Sequence, residues 1–406
     1  MENHTLPEHH AYYAQRSESL KNIDLLGFHS KSYFSRDIWA SLCSQGLLAS
    51  GPELSAEPSQ QHGFLFHDFA LNAYALARHS HSLGLAMTSV GQNLKLYFLN
   101  TLAHNSIHAT CSHQIRQGEA LCALAISEPG VGAHPKHLSC TAHADGDDYL
   151  LDGQKTWVSH GPYADWFIVL AITDQTPDKN SGAIKKAFSA FLLPRDTPGL
   201  EIVPMAEGEH LKPIGHANLH LQQCRVSKEN LLGELGTAFE DLSKPMRTLE
   251  DILMQCAIAG AMQGELDQLA AQVQITQQDK TSLEKLGLLL GLSESATKLS
   301  IMAAETLDRT GHHSDPFEFI LGFRSLARDI TTLLRPYLEP DRPETYRPET
   351  GKPKTDSSIN KDLNKNSRKE ALLKDIDLMM GIGTGASQLK MVKLAREYKA
   401  SQTINY

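Results

Sequence analysis

The chain has 406 residues, 41% of them hydrophobic and 21% charged, the balance of an ordinary folded protein with room for about two or three domains. A net charge of -9, with lysines and arginines gathered only weakly around 352–374, excludes a nucleic-acid footprint. Six cysteines, at 43, 111, 122, 140, 224 and 256, lie too far apart for a CxxC pair and suit a reducing compartment, and no apolar run reaches the roughly 18 residues of a membrane span. The expectation is a cytoplasmic protein with no nucleic-acid partner.

In chain order, residues 1–33 read as a polar N-terminal extension. From 34 to 120 the apolar spacing is helical. FSRDIWASLCSQGLLAS puts Ile38, Trp39, Leu42 and Leu47 on one side, and HDFALNAYALARHSHSLGLAM and LKLYFLNTLAHNSIHATCSHQIRQG continue the 3.6-residue period. Near 121 the texture changes to short alternating or apolar runs, LCALAIS, DWFIVLAIT, AFSAFLLP, LEIVPM and ANLHLQQCRVS, parted by DGDD, TPDKNSG and DTPG turn chemistry. These predict a middle antiparallel β domain, barrel-like, over 121–234. The helical period returns from 235 to 406 and predicts a C-terminal four-helix-type bundle. The expected fold class is therefore α+β, mostly α, in the order α-β-α. Residues 336–369 are rich in Pro, Lys, Glu, Asp and Asn and too poor in apolar surface to offset their ordering entropy, so a mobile polar segment is expected there.

Two features invite other chemistry. Of 20 histidines, the pairs His9-His10 and His312-His313 suggest a metal, but neighbours on a helix point about 100° apart and no HExxH or CxxC accompanies them. No metal site is expected. Near the end, Gly381-x-Gly383-x-x-Ala386 has dinucleotide-loop spacing, yet the printed sequence leaves no room for the second strand and ribose-binding acid that such a site needs.

The quoted centre of the β domain carries a resemblance. ALAISEPGVGAH, DDYLLDGQKTWVSH and CRVSKENLLGELG are similar, in order and spacing, to the T/S-E-P-x-x-G, x-G-x-K-x-W-x-T/S and V-P-x-x-N-x-L-G segments of the acyl-CoA dehydrogenase family, and the resemblance extends from about Phe34 to Glu397. It implies FAD, with the ring contacted by Leu124, Ile126 and Ser127 in the first segment, Trp157 and Ser159 in the second, and Gln388 in the C-terminal loop. It also implies an acyl-CoA substrate, oxidised to the 2-enoyl thioester, with Ala133, Thr248 and Thr384 at positions near the thioester. Implied partners are an electron-transfer flavoprotein and further subunits, in a homodimer, homotetramer or heteromer with a related chain.

That chemistry needs a carboxylate to take the α-proton while the β-hydrogen leaves as hydride to the flavin N5. The glutamate of the family's C-terminal loop is replaced by Thr384, which takes up no proton at neutral pH. Isovaleryl- and long-chain-type members carry the base on a later helix, and there the resemblance assigns it to Glu250, in Thr248-Leu249-Glu250-Asp251-Ile252, followed by Gly260 and Gln263. Helical spacing puts Glu250 on a stripe with Leu253, Met254, Ala257, Ile258 and Ala261, a desolvating surface that raises a carboxyl pKa. The plainer alternative is an acid in a helix's first turn, left in water.

Three departures point the other way. Asp251 stands where the family has arginine, beside the proposed base; QITQQDKTSLEKLG and SSINKDLNKNSRK lack the R-x-x-F-G and Q-x-x-G-G motifs that hold the cofactor's diphosphate and adenosine. Losing a charge-assisted phosphate contact costs about 1.5 to 3 kcal/mol, or one to two decades of affinity. Beside the flavoenzyme reading stand a catalytically reduced homologue, acting as a structural subunit or acyl-CoA binding protein, and a flavoenzyme of another reaction.

Overall fold

A computed structural model describes residues 20, 34–48, 65–102, 105–177, 184–206, 210–272, 280–311, 316–338 and 371–381. Four helices come first: α1 (Arg36–Ser44), α2 (Phe66–Ser80), α3 (Leu83–Leu102) and α4 (Ser106–Arg116). Eight strands follow: β1 (Cys122–Ala125), β2 (Thr141–Asp145), β3 (Asp148–Ser159), β4 (Trp166–Pro177), β5 (Ile184–Pro194), β6 (Leu200–Pro204), β7 (His216–Ser227) and β8 (Leu231–Leu232). A π turn over Phe239–Ser243 leads into α5 (Lys244–Gln272), then come α6 (Lys280–Thr310), α7 (Phe317–Leu338) and a helix α8 over 371–381. This is the expected α-β-α order.

The helix breaks have local causes. His81 turns left-handed at φ 52 and closes α2 through its N–H on the Ala77 carbonyl, 2.9 Å away, so the periodic stretch 66–102 becomes two helices. Asn105 opens α4, its side-chain oxygen accepting from the N–H groups of Ile107 and His108 at 3.0 and 3.2 Å. The start of α2 has no cap of its own; Asp308 of α6 accepts from Phe66 and His67 N–H at 2.7 and 3.0 Å, tying the N-terminal helices to the C-terminal ones.

The sheet runs β6-β7-β3-β2-β4-β5-β8, with β1 also on β4. It is antiparallel except where β1 and the first residue of β2 lie parallel to β4. Why β4 and β5 read as unbroken apolar runs is clear from their two faces. Phe167, Val169, Phe191 and Leu193 fill a core within the β domain, while Ile168, Leu170, Phe188 and Leu192 join the helical core. Both faces are dry, so no polar alternation survives.

Helix α5 crosses α2 closely enough that only glycine fits. A Cβ at Gly260 would stand 2.2 Å from the Tyr74 carbonyl oxygen, and one at Gly264 2.5 Å from that of Arg78. Gly260→Ala, which would add about 0.8–1 kcal/mol of helix propensity at a free site, is expected here to cost about 1–3 kcal/mol instead. Urea unfolding of the two forms measures the sign.

Candidate functional site

The two motif segments meet in space. Thr156 N–H donates to the Ser127 carbonyl at 2.9 Å, which sets the turn after β1 against the end of β3. Within it, Lys155 is fully buried and donates to Glu128 Oε1 at 2.9 Å and to the Ile126 carbonyl at 3.1 Å. Glu128 also accepts from Cys140 N–H at 2.9 Å and from Ser139 N–H and Oγ at 2.7 and 2.8 Å. Burial pushes the Glu128 carboxyl up, but Lys155 and these donors outweigh it and hold the group below its usual range. The Glu and Lys of the two motifs, unassigned from sequence, are thus one internal staple.

The staple presents Trp157. Between Lys155 and Val158 the register of β3 on β7 slips, and at this bulge Trp157 takes φ 55, outside the comfortable range of a bulky side chain. Its indole is left 64% exposed. One edge meets the His216 ring at 5.6 Å between centroids, and a cavity of about 110 Å³ alongside is lined by Tyr163, Met205, His210, Lys212 and His216, among others. Leu124, Ile126, Ser127 and Ser159 are half-buried around the same turn and strand. An exposed aromatic face held at a left-handed bulge, in a strand that also carries the half-buried Ser159 and is bonded to the Ser127 turn, fits a planar aromatic ligand such as the flavin ring.

Past Ser159 the chain turns inward. His160 is buried at φ 64, and its Nε2 lies 2.8 Å from Thr88 Oγ1 of α3. Since that hydroxyl donates to the Gly84 carbonyl at 2.9 Å, Nε2 carries the proton and Nδ1 is the bare nitrogen, buried without a partner among the described residues. Burial, then Lys95 and His216, hold His160 well below the ordinary imidazole value, so it is neutral. One turn on, Gln92 bonds both the N–H and C=O of Cys122 in β1 at 3.0 and 2.9 Å. Helix α3 therefore seams the β domain to the bundle.

Glu250 lies in the second turn of α5, not its first. Leu253, Met254, Ala257, Ile258 and Ala261 are all buried, as the stripe predicts. The carboxylate keeps some exposed surface but is closely surrounded, and burial pushes its pKa up, with Lys95 pulling it down and Asp251 adding to the rise. Asp251 has an answer that sequence did not offer: Arg324 of α7 stands 3.7 Å away. Burial holds the ammonium of Lys95 on α3 below its usual range, with Cys122 and Glu250 pulling it back up.

The other candidates divide. Thr248 is half-buried on α5, two residues before Glu250, whereas Ala133 lies exposed in the turn after β1. Thr384 and Gln388 lie outside the described residues, as do His9-His10, His312-His313 and most of 336–369. Among the described residues no group of three His, Cys, Asp or Glu could hold a metal ion, and no helix is long and apolar enough to cross a membrane. All six cysteines are buried free thiols.

Comparison with known proteins bears on the fold and on the middle domain. Residues 123–224 match the family described as acyl-CoA dehydrogenase, middle domain. The rat short-chain specific mitochondrial acyl-CoA dehydrogenase is 34% identical over 177 residues, 41% of this chain and 40% of the relative. A probable acyl-CoA dehydrogenase of Mycobacterium leprae is 32% identical over 148 residues, 36% of each chain. These matches span two fifths or less of the relatives' length. By fold, butyryl-CoA dehydrogenase from Megasphaera elsdenii superposes with a TM-score of 0.71 at 18% identity, over 93% of this chain and 95% of that one. The FAD complex of PigA gives 0.75 at 17%, over 98% and 99%. A segment similar to the acyl-CoA dehydrogenase middle domain is thus set in a three-part fold similar to that of these solved structures.

Proposed function

We propose that the chain is a flavin oxidoreductase that converts an acyl-CoA to its 2-enoyl thioester, with Glu250 as the base. The observation that carries this reading is a carboxylate on α5 whose pKa burial pushes up, set on the buried stripe of Leu253, Met254 and Ala257, in a chain that also holds Trp157 exposed at the end of β3. Trp157, Ser127, Ser159 and the backbone of Leu124 and Ile126 would hold the ring of FAD, and Gln388 the loop over it. The bound flavin supplies the acceptor for the β-hydrogen. Glu250 removes the α-proton, and burial helps because a carboxylate stripped of water is a stronger base than one in solution. Thr248, Ala133 and Thr384 would line the thioester. A carboxylate on α5 also explains why Thr384 can stand at the other family position.

The reduced cofactor would pass its electrons to an electron-transfer flavoprotein, and the chain would work as a homodimer, homotetramer or heteromer. One observation favours a second reading, a structural or acyl-CoA binding subunit: the chain lacks both diphosphate motifs, so FAD is held mainly by its ring or by contacts from a related subunit. Product analysis separates them. The flavin-loaded chain, given an acyl-CoA and an electron acceptor, is expected to yield the 2-enoyl-CoA; recovery of unchanged thioester alone would contradict the enzyme. Trp157→Ala is expected to weaken FAD binding by about tenfold, the worth of one stacked aromatic contact, measured by titrating the apoprotein.

A further inference from the structure

His216, whose ring meets the edge of Trp157, opens β7, and the turn before it, 210–215, helps to line the adjoining cavity through His210 and Lys212. Leu211 in this turn sits at φ 54, a left-handed conformation that leucine keeps only where its surroundings impose it. The constraints come from several sides. Its carbonyl accepts from Ile214 N–H at 3.1 Å, and a Cβ at Gly84 of α3 would stand 2.4 Å from that oxygen and 2.3 Å from the Lys212 carbonyl oxygen. At the far end, the Gly215 carbonyl accepts from His160 N–H at 3.0 Å and that of His216 from Met205 N–H at 2.8 Å.

The N–H of Leu211 goes to a distant element. Asp375 of α8 accepts it through Oδ1 at 2.8 Å, and the same oxygen lies 3.4 Å from His210 Nδ1. Only 5% of Asp375 is exposed, a costly place for a carboxylate that had nothing to hold. Leu372, Leu373 and Ile376 of α8 share one apolar core with Leu211 and Ile214, so adhesion between helix and turn has its own source. What the carboxylate adds is direction: apolar contact is non-directional, whereas the bond to Leu211 fixes one conformation of the turn.

We infer that Asp375 is a positioning residue, which fixes the turn 210–215 and through it the His216–Trp157 corner on which a planar ligand stacks. This rests on Trp157 being the flavin contact. Asp375 acts through the Leu211 N–H and His210. Without it that N–H is buried and unpaired, and the turn leaves its left-handed conformation and takes His216 with it.

The test uses the full-length apoprotein and its tryptophan fluorescence. Of the three tryptophans, Trp39 is buried and Trp166 is half-buried on Gln114 Oε1 at 2.9 Å, so a neutral quencher such as acrylamide reaches Trp157 best, and Trp157→Phe identifies its share. Asp375→Ala is expected to raise the quenching of that share and to weaken FAD binding about tenfold, the worth of one stacked contact. Asp375→Asn, which keeps an acceptor for the Leu211 N–H, is expected to restore most of both. A folded Asp375→Ala protein whose quenching stays at the wild-type value overturns the inference, and so does one whose quenching rises while FAD binds as tightly as before. If Asp375→Ala does not fold, hydrogen exchange of the wild type decides: the Leu211 amide must exchange as slowly as core amides, and exchange at the rate of exposed loop amides overturns the hold. Quenching that rises in Asp375→Ala while the wild type binds no FAD supports the positioning of Trp157 and overturns the flavin reading instead.

Discussion

Glu250→Gln is expected to leave the flavin spectrum intact and to slow thioester-driven bleaching by about 10²–10⁴-fold, the usual contribution of a general base. The amide has nearly the same shape, so the stripe of Leu253, Met254 and Ala257 stays packed and the helix keeps its place. What is lost is the ability to accept a proton. A structural role for Glu250 predicts the reverse pattern, a change in stability with bleaching untouched. Stopped-flow absorbance under nitrogen separates the two, and an undiminished rate would remove Glu250 from its role.

Lys155→Met gives the largest effect on stability, a loss of about 3–5 kcal/mol, because it strands the Glu128 carboxylate in the interior. Removing both charges together, as Glu128→Gln with Lys155→Met, is expected to cost less than the sum of the two single changes. Denaturant unfolding of the four proteins makes this cycle. The pair also sets an acid limit. Glu128 has a folded-state pKa below its unfolded value, near 4.3 for a free glutamate, so its contribution is complete above that value. It is lost as pH falls through the lower, folded value. Stability lost on that acid side in the wild type should be missing from the Glu128→Gln protein.

The fold was legible where packing follows period. Unbroken apolar runs gave β4 and β5, and the 3.6-residue spacing gave the helices, though His81 and Asn105 divided what read as continuous stretches. The site was legible in part. Trp157 stood in its motif, but its exposure depends on a register slip against β7, and strand register is set by the partner strand. Glu128 and Lys155 lay in plain view 27 residues apart, yet nothing in spacing says that they touch. Asp251 read as a repulsive neighbour because its partner, Arg324, comes from another helix. Lys95 had a visible signal, one charge in an apolar helical run, that pointed to a buried cation without saying what it faces.

The central claim is that this chain holds a flavin at Trp157 and reduces it with an acyl thioester through Glu250. Absorbance of the purified protein, loaded with FAD, freed of excess and titrated with acyl-CoA under nitrogen, tests this most directly. The account predicts retained flavin bands that bleach with acyl-CoA in the wild type and persist in Glu250→Gln. A chain that retains no flavin after soaking, or whose bound flavin no thioester bleaches, would contradict it.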